Sequence, residues 1–241
     1  MSTVIVLGVA ALLTATLSAI LGMGGGITLL GVMTVLLAPR EVVPLHGVVQ
    51  MCSNLTRTIA FVKHVRWRLF AIYLPGSIVG ILIARELWSN ERLTWFKPAI
   101  GLFILAFLIW RRYNKKLRNL PMYAYAPVGL GVGFLTIFVG ATGPFLAPFM
   151  LRDDFEKEEI IATKAACQMW LHLLKIPTFL SLGFDYSPYL ELLSVLVVAV
   201  VIGTYCGKWL LNRMSAKWFH ILFQGLLTVI AVYLIVKPLI Q

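Results

Sequence analysis

From residue 4 to residue 237 the chain is a succession of apolar runs, most near the length of a membrane span, separated by short polar gaps. A helix rises 1.5 Å per residue, so about 20 apolar residues cross a ~30 Å hydrocarbon core. Eight segments are predicted, at 4–38, 44–62, 69–88, 95–112, 123–150, 159–182, 190–211 and 217–237. The gaps are PRE (39–41), KHVRWR (63–68), SNER (89–92), RRYNKKLR (111–118), RDDFEKEE (152–159), GFDYSP (183–188) and NRMSAK (212–217). With 60% hydrophobic residues and 13% charged, a soluble fold of 241 residues could not cover this much apolar surface. The expectation is an all-α integral membrane protein forming a single transmembrane domain over 1–241. The N-terminal MSTVIVLGVA, lacking Lys and Arg, reads as the start of a span rather than a leader.

The net charge of +11 is scattered through short loops, densest at 111–118. That pattern suits cytoplasmic loops and anionic lipid, not nucleic acid. Lys and Arg nearly balance between the two sides, and the 111–118 cluster tips the termini toward the cytoplasm. Cys52, Cys167 and Cys206 all fall in apolar segments, which argues against a disulfide framework or a four-cysteine zinc site. His46, His64, His172 and His220 show no metal-ligand spacing, so no metal or other cofactor is expected.

The first and fifth segments are too long for simple spans. The first contains Gly24, Gly25 and Gly26 in a row, each costing a helix interior about 1 kcal/mol relative to alanine. The fifth contains Thr142, Gly143 and Pro144. Both are expected to be broken helices, or spans followed by re-entrant pieces. LGMGGGITLL (21–30) aligns with VGATGPFLAP (139–148) at an offset of 118, which also matches Gln50-Met51 to Gln168-Met169, Arg57 to Lys175 and Phe61 to Phe179. GSIVG (76–80) resembles GTYCG (203–207), and TWFKPAIG (94–101) resembles KWFHILFQG (217–225). The expectation is about eight helices in two repeated halves, 1–112 and 123–241, joined by the basic linker 113–122. Whether the halves are parallel or inverted stays open.

Gln50, Asn54 and Arg57 stand at i, i+4 and i+7, one helix face; Gln168, His172 and Lys175 repeat that spacing. No acid lies within either segment beyond Glu159 at the very edge of the sixth, so an anion that comes and goes is the economical partner for the cations. Arg57 and Lys175 lie near segment ends, which also allows snorkelling, and the glutamines also suit interhelical bonding. A half-helix that starts inside the membrane offers unbonded N–H groups and partial positive charge. Gly24–Gly26 and Thr142–Gly143 are therefore candidate backbone donors to an anion. Close helix packing is the alternative for small residues, and it accounts for GSIVG and GTYCG. GTYCGK (203–208) lacks the spacing of a phosphate loop.

The GMGGG motif, Pro39 and Pro44 after it, the polar second segment, HVRWR (64–68) and the repeated pattern together resemble the TauE/SafE family of sulfite and organosulfonate exporters. The resemblance spans essentially the whole chain, with ATGP in the second half where the first has GGG. It implies an inner-membrane carrier for sulfite or an organosulfonate such as sulfoacetate. The expected activity is secondary transport, in the export direction, by alternating access, not enzymatic catalysis. The expected substrate-binding residues are Gly24, Gly25, Gly26, Gln50, Asn54, Arg57, Thr142, Gly143, Gln168, His172 and Lys175, with His172 as proton carrier. A channel-like anion pore of the same fold, or an intramembrane enzyme using Cys52 or Cys167, are the other readings. Partners are the anion and the lipid bilayer, with a homo-oligomer left open.

Overall fold

The computed structural model describes residues 2–87 and 119–240, together with helical residues 102, 105, 106, 108, 109 and 113. The fourth expected segment, the SNER and RRYNKKLR gaps and the TWFKPAIG motif therefore lie largely outside the described residues. Nine α-helices have bounds among the described residues, and no described residue is in a strand. They are α1 (Ser2–Leu21), α2 (Gly25–Leu36), α3 (Pro39–Ala60), α4 (Trp67–Glu86), α5 (Tyr125–Val139), α6 (Gly143–Met150), α7 (Lys157–Ser181), α8 (Leu190–Leu211) and α9 (Ala216–Ile240). Among the described residues, five stretches are long and apolar enough to cross a membrane: Thr3–Leu21, Trp67–Glu86, Met122–Val139, Ser187–Leu211 and Ala216–Tyr233.

The PRE stretch is not a gap. Pro39 is the first residue of α3, where its missing N–H removes no helical bond. Glu41 Oε2 accepts the Ala38 N–H at 3.2 Å and closes that terminus. α7 starts in the same way, with the Glu156 N–H donating to Glu159 Oε2 at 3.0 Å. Both expected breaks are present. α1 stops at Leu21 and α2 begins at Gly25, while α5 stops at Val139 and α6 begins at Gly143. Gly22 (φ 69°), Gly24 (φ 91°) and Gly140 (φ 80°) occupy the positive-φ region, which turns the chain without penalty only when no Cβ is present.

α3 packs against α7 at the centre. α4 packs on α5 and α7, while α8 packs on α1 and α3. Exchanging α1 with α5, α3 with α7 and α4 with α8 leaves this set of packed pairs unchanged. Glycines permit the two closest pairings. A Cβ on Gly80 would lie 2.1 Å from the Leu130 carbonyl oxygen, and one on Gly203 would lie 2.3 Å from that of Leu12. GSIVG and GTYCG are thus packing stripes.

α3 and α7 are inside-out by the standards of a soluble helix. On α3, His46, Gln50, Ser53, Asn54 and Arg57 are buried, at the spacing of one face. Leu55 and Ile59 of the same helix point outward, as do Ile5, Leu13 and Val35 of α1 and α2. Polar groups inward and aliphatic groups outward is the arrangement that a lipid solvent imposes.

Candidate functional site

The two breaks meet the inner faces of α3 and α7 around one cavity of about 30 Å³, room for a water-sized group. Gly22 and Gly24 line it from the first break, Gly26 from the first turn of α2, and Ala141 and Gly143 from the second. The first turns of α2 and α6 therefore lie at the same cavity, with the partial positive charge of their unbonded N–H groups.

From α3 come His46, Gln50, Asn54 and Arg57. Arg57 is 2% exposed, so it does not snorkel outward. Its Nη1 donates to Asn54 Oδ1 at 3.0 Å and its Nη2 to Ser53 Oγ at 3.1 Å, while Nε has no partner among the described residues. Asn54 Nδ2 in turn donates to the Gln50 carbonyl at 2.8 Å. Asn54 is thereby spent on aiming the guanidinium.

From α7 come Lys164, Gln168 and His172. Lys164 Nζ donates to the Gly22 carbonyl at 2.8 Å, and it would lie 3.3 Å from a Cβ placed on Gly143. The ammonium thus sits between the carbonyl end of α1 and the N–H end of α6. A cation at a helix C-terminus is favourable, and two of its three donors are left for a ligand. Gln168 Nε2 and His172 Nδ1 are buried without partners among the described residues. The rings of His46 and His172 meet edge to face, with centroids 5.9 Å apart.

Three of the expected site residues stand off the cavity wall. Gly25 is pressed against α1, where a Cβ would meet the Thr14 carbonyl oxygen at 1.8 Å. Thr142 is buried and donates to Thr136 Oγ1 at 3.5 Å. Lys175 is fully buried, with Nζ on the Gly140 carbonyl at 2.5 Å, and so caps the end of α5. Among the described residues no carboxylate pairs with Arg57, Lys164 or Lys175.

The sequence model of the family described as "Sulfite exporter TauE/SafE" matches residues 7–234. The chain belongs to the TauE/SafE family. It is also similar to the "Probable inner membrane transporter protein TsaS" of Comamonas testosteroni, 28% identical over 155 residues. That match covers 61% of this chain and 64% of TsaS, so the chain spans less than two thirds of that relative's length. No solved structure matches the chain.

In this TauE/SafE chain, sequence reasoning missed His46 and Lys164. The signal was available, because 46 and 164 differ by the same 118 that relates Gly22 to Gly140. Lys164 was hidden by its neighbourhood, since it follows the acidic RDDFEKEE run and so reads as the edge of a solvated loop.

Proposed function

We propose that the chain is a secondary transporter of a small oxyanion, built from two repeated halves and working by alternating access. The observation that carries this reading is the convergence of Arg57, Lys164 and Gln168 on a cavity between two helix breaks, with no carboxylate among the described residues paired to balance the charge. A buried charge in a membrane protein faces a partner or a pathway. Here the partner is an anion that enters and leaves. The duplication is supported by the positive φ of Gly22 and Gly140, by helix starts at Gly25 and Gly143, both pairs 118 apart, and by the exchange pattern of the packed helices.

The family's description supports sulfite moved outward, and the name and bacterial source of TsaS support a bacterial inner-membrane location; an organosulfonate such as sulfoacetate is the other sulfur-containing anion of this reading. Arg57 and Lys164 balance its charge, Gln50 and Gln168 orient its oxygens, and the first turns of α2 and α6 add backbone donors. His172 is the proton carrier. The test is counterflow in proteoliposomes: labelled sulfite or sulfoacetate uptake rises when unlabelled anion is preloaded, and responds to an imposed pH gradient. Uptake without trans-stimulation would identify a pore instead. Wild-type rates in both Arg57→Ala and Lys164→Ala would remove the site.

A further inference from the structure

We infer that the anion held at this site carries an O–H of its own, and that His46 Nδ1 receives its hydrogen. The inference rests on the transport reading and narrows its substrate class. His46 is 1% exposed, on the inner face of α3, and its Nε2 lies 2.8 Å from the Gly26 carbonyl oxygen. A carbonyl oxygen only accepts, so Nε2 carries the ring hydrogen. In the neutral ring Nδ1 then keeps a lone pair, and Nδ1 is buried without a partner among the described residues. A second ring proton would add positive charge to a wall that already holds Arg57 on α3 and Lys164 on α7, with Lys175 and His172 also facing the ring from α7. Native interiors seldom leave a buried acceptor unmet.

The other groups on the wall do not impose this requirement. Lys164 and Arg57 can only donate, as suits any oxyanion. The amides of Gln50 and Gln168 can turn either end toward a ligand. His46 cannot turn, because Gly26 fixes which nitrogen holds the hydrogen. A wall of donors alone accepts a fully deprotonated sulfonate or sulfate. His172, whose Nδ1 is also without a partner among the described residues, has no bond that fixes its tautomer, so the acceptor fixed at His46 is what selects an anion with an X–OH group, either a monoprotonated inorganic oxyanion or a sulfonate with a hydroxyl on its carbon chain.

Calorimetric titration of the purified protein with two matched pairs tests this. One pair is ethanesulfonate against 2-hydroxyethanesulfonate. The other is monofluorophosphate against hydrogenphosphate at mildly alkaline pH, dianions that differ by F against OH. In at least one pair the hydroxyl member should bind about tenfold tighter or more, and the pair that discriminates identifies the organic or inorganic source. In His46→Gln, which can still donate to Gly26 but has no acceptor at the Nδ1 position, both members should bind within about twofold of each other. Equal binding within every pair by the wild-type protein overturns the inference while leaving the transport reading intact, and needs no variant to fold. A preference that survives in His46→Gln overturns the assignment to His46. Binding of sulfite with failure of all four test anions overturns the inference, and failure of sulfite as well removes the transport reading itself, and this inference with it.

Discussion

Lys164 Nζ donates to the carbonyl oxygen of Gly22 at 2.8 Å, a bond that joins residues 142 positions apart and ties α7 to the end of α1. Lys175 makes the corresponding bond to Gly140, but away from the cavity. The two lysines therefore separate in a binding experiment. Lys164→Met should weaken anion binding about 30-fold, from a charge-assisted bond worth about 2 kcal/mol, and abolish the anion-induced rise in Tm. Lys175→Met should lower the Tm of the anion-free protein and leave most of the affinity.

The breaks were legible because three adjacent glycines in an apolar run, and a Thr-Gly-Pro at the matching place, have few other uses in a spanning segment. The polar stripes were legible from period alone: Gln50, Asn54, Arg57, Gln168 and His172 all reach the cavity. What Asn54, Gly25 and Lys175 do in the fold was not legible. Each is fixed by a contact with a partner whose distance sequence does not encode: Arg57 for Asn54, the Thr14 carbonyl for Gly25, the Gly140 carbonyl for Lys175. The interlocking of α4 with α5 and of α8 with α1 was equally hidden. A Gly-x-x-x-Gly stripe announces a close neighbour without naming it.

Glycines on the packing stripes should behave unlike glycines that face outward. Gly80→Ala places a methyl 2.1 Å from the Leu130 carbonyl, so α4 and α5 must separate, at a cost of about 1–3 kcal/mol. A Cβ on Gly31, inside α2, would meet no described residue within 4 Å beyond its own stretch of helix. Gly31→Ala should stabilise by up to about 1 kcal/mol, since alanine is the better helix former. Thermal unfolding of both variants in the same detergent gives the two signs directly.

In the loop between α6 and α7, outside the spanning helices, Arg152 Nε and Nη2 grip Asp154 Oδ1 and Oδ2 at 2.7 and 2.8 Å. Arg152 also donates to the Leu120 carbonyl and lies over the Phe155 ring. The guanidinium holds the Asp154 carboxyl below the ordinary carboxylate range. A carboxyl depressed in the folded state stabilises fully above its unfolded value near 4, and that contribution fades as pH falls through the lower folded value. Asp154 is half exposed, so solvent keeps the effect small. Asp154→Asn should be slightly less stable than wild type at neutral pH, and the two Tm curves should converge in the acid limb below about pH 4.

The sharpest test of the charge balance swaps an amide for a carboxylate of the same size. Asn54 Oδ1 already accepts from Arg57 Nη1 at 3.0 Å, so Asn54→Asp supplies Arg57 with a permanent counter-ion in place. The carboxylate repels an incoming anion and neutralises the cation that attracts it. Binding of sulfite or sulfonates should fall at least about a hundredfold, because a buried like charge costs several kcal/mol. Asn54→Ala releases the guanidinium without neutralising it and should lose only about tenfold. Both variants give up the amide bond to the Gln50 carbonyl, so their difference isolates the charge. The fold should survive in Asn54→Asp, with a Tm in the absence of anion no lower than that of Asn54→Ala, since the new pair relieves a buried cation. If Asn54→Asp bound anions as tightly as Asn54→Ala, Arg57 would not be the charge that receives the substrate.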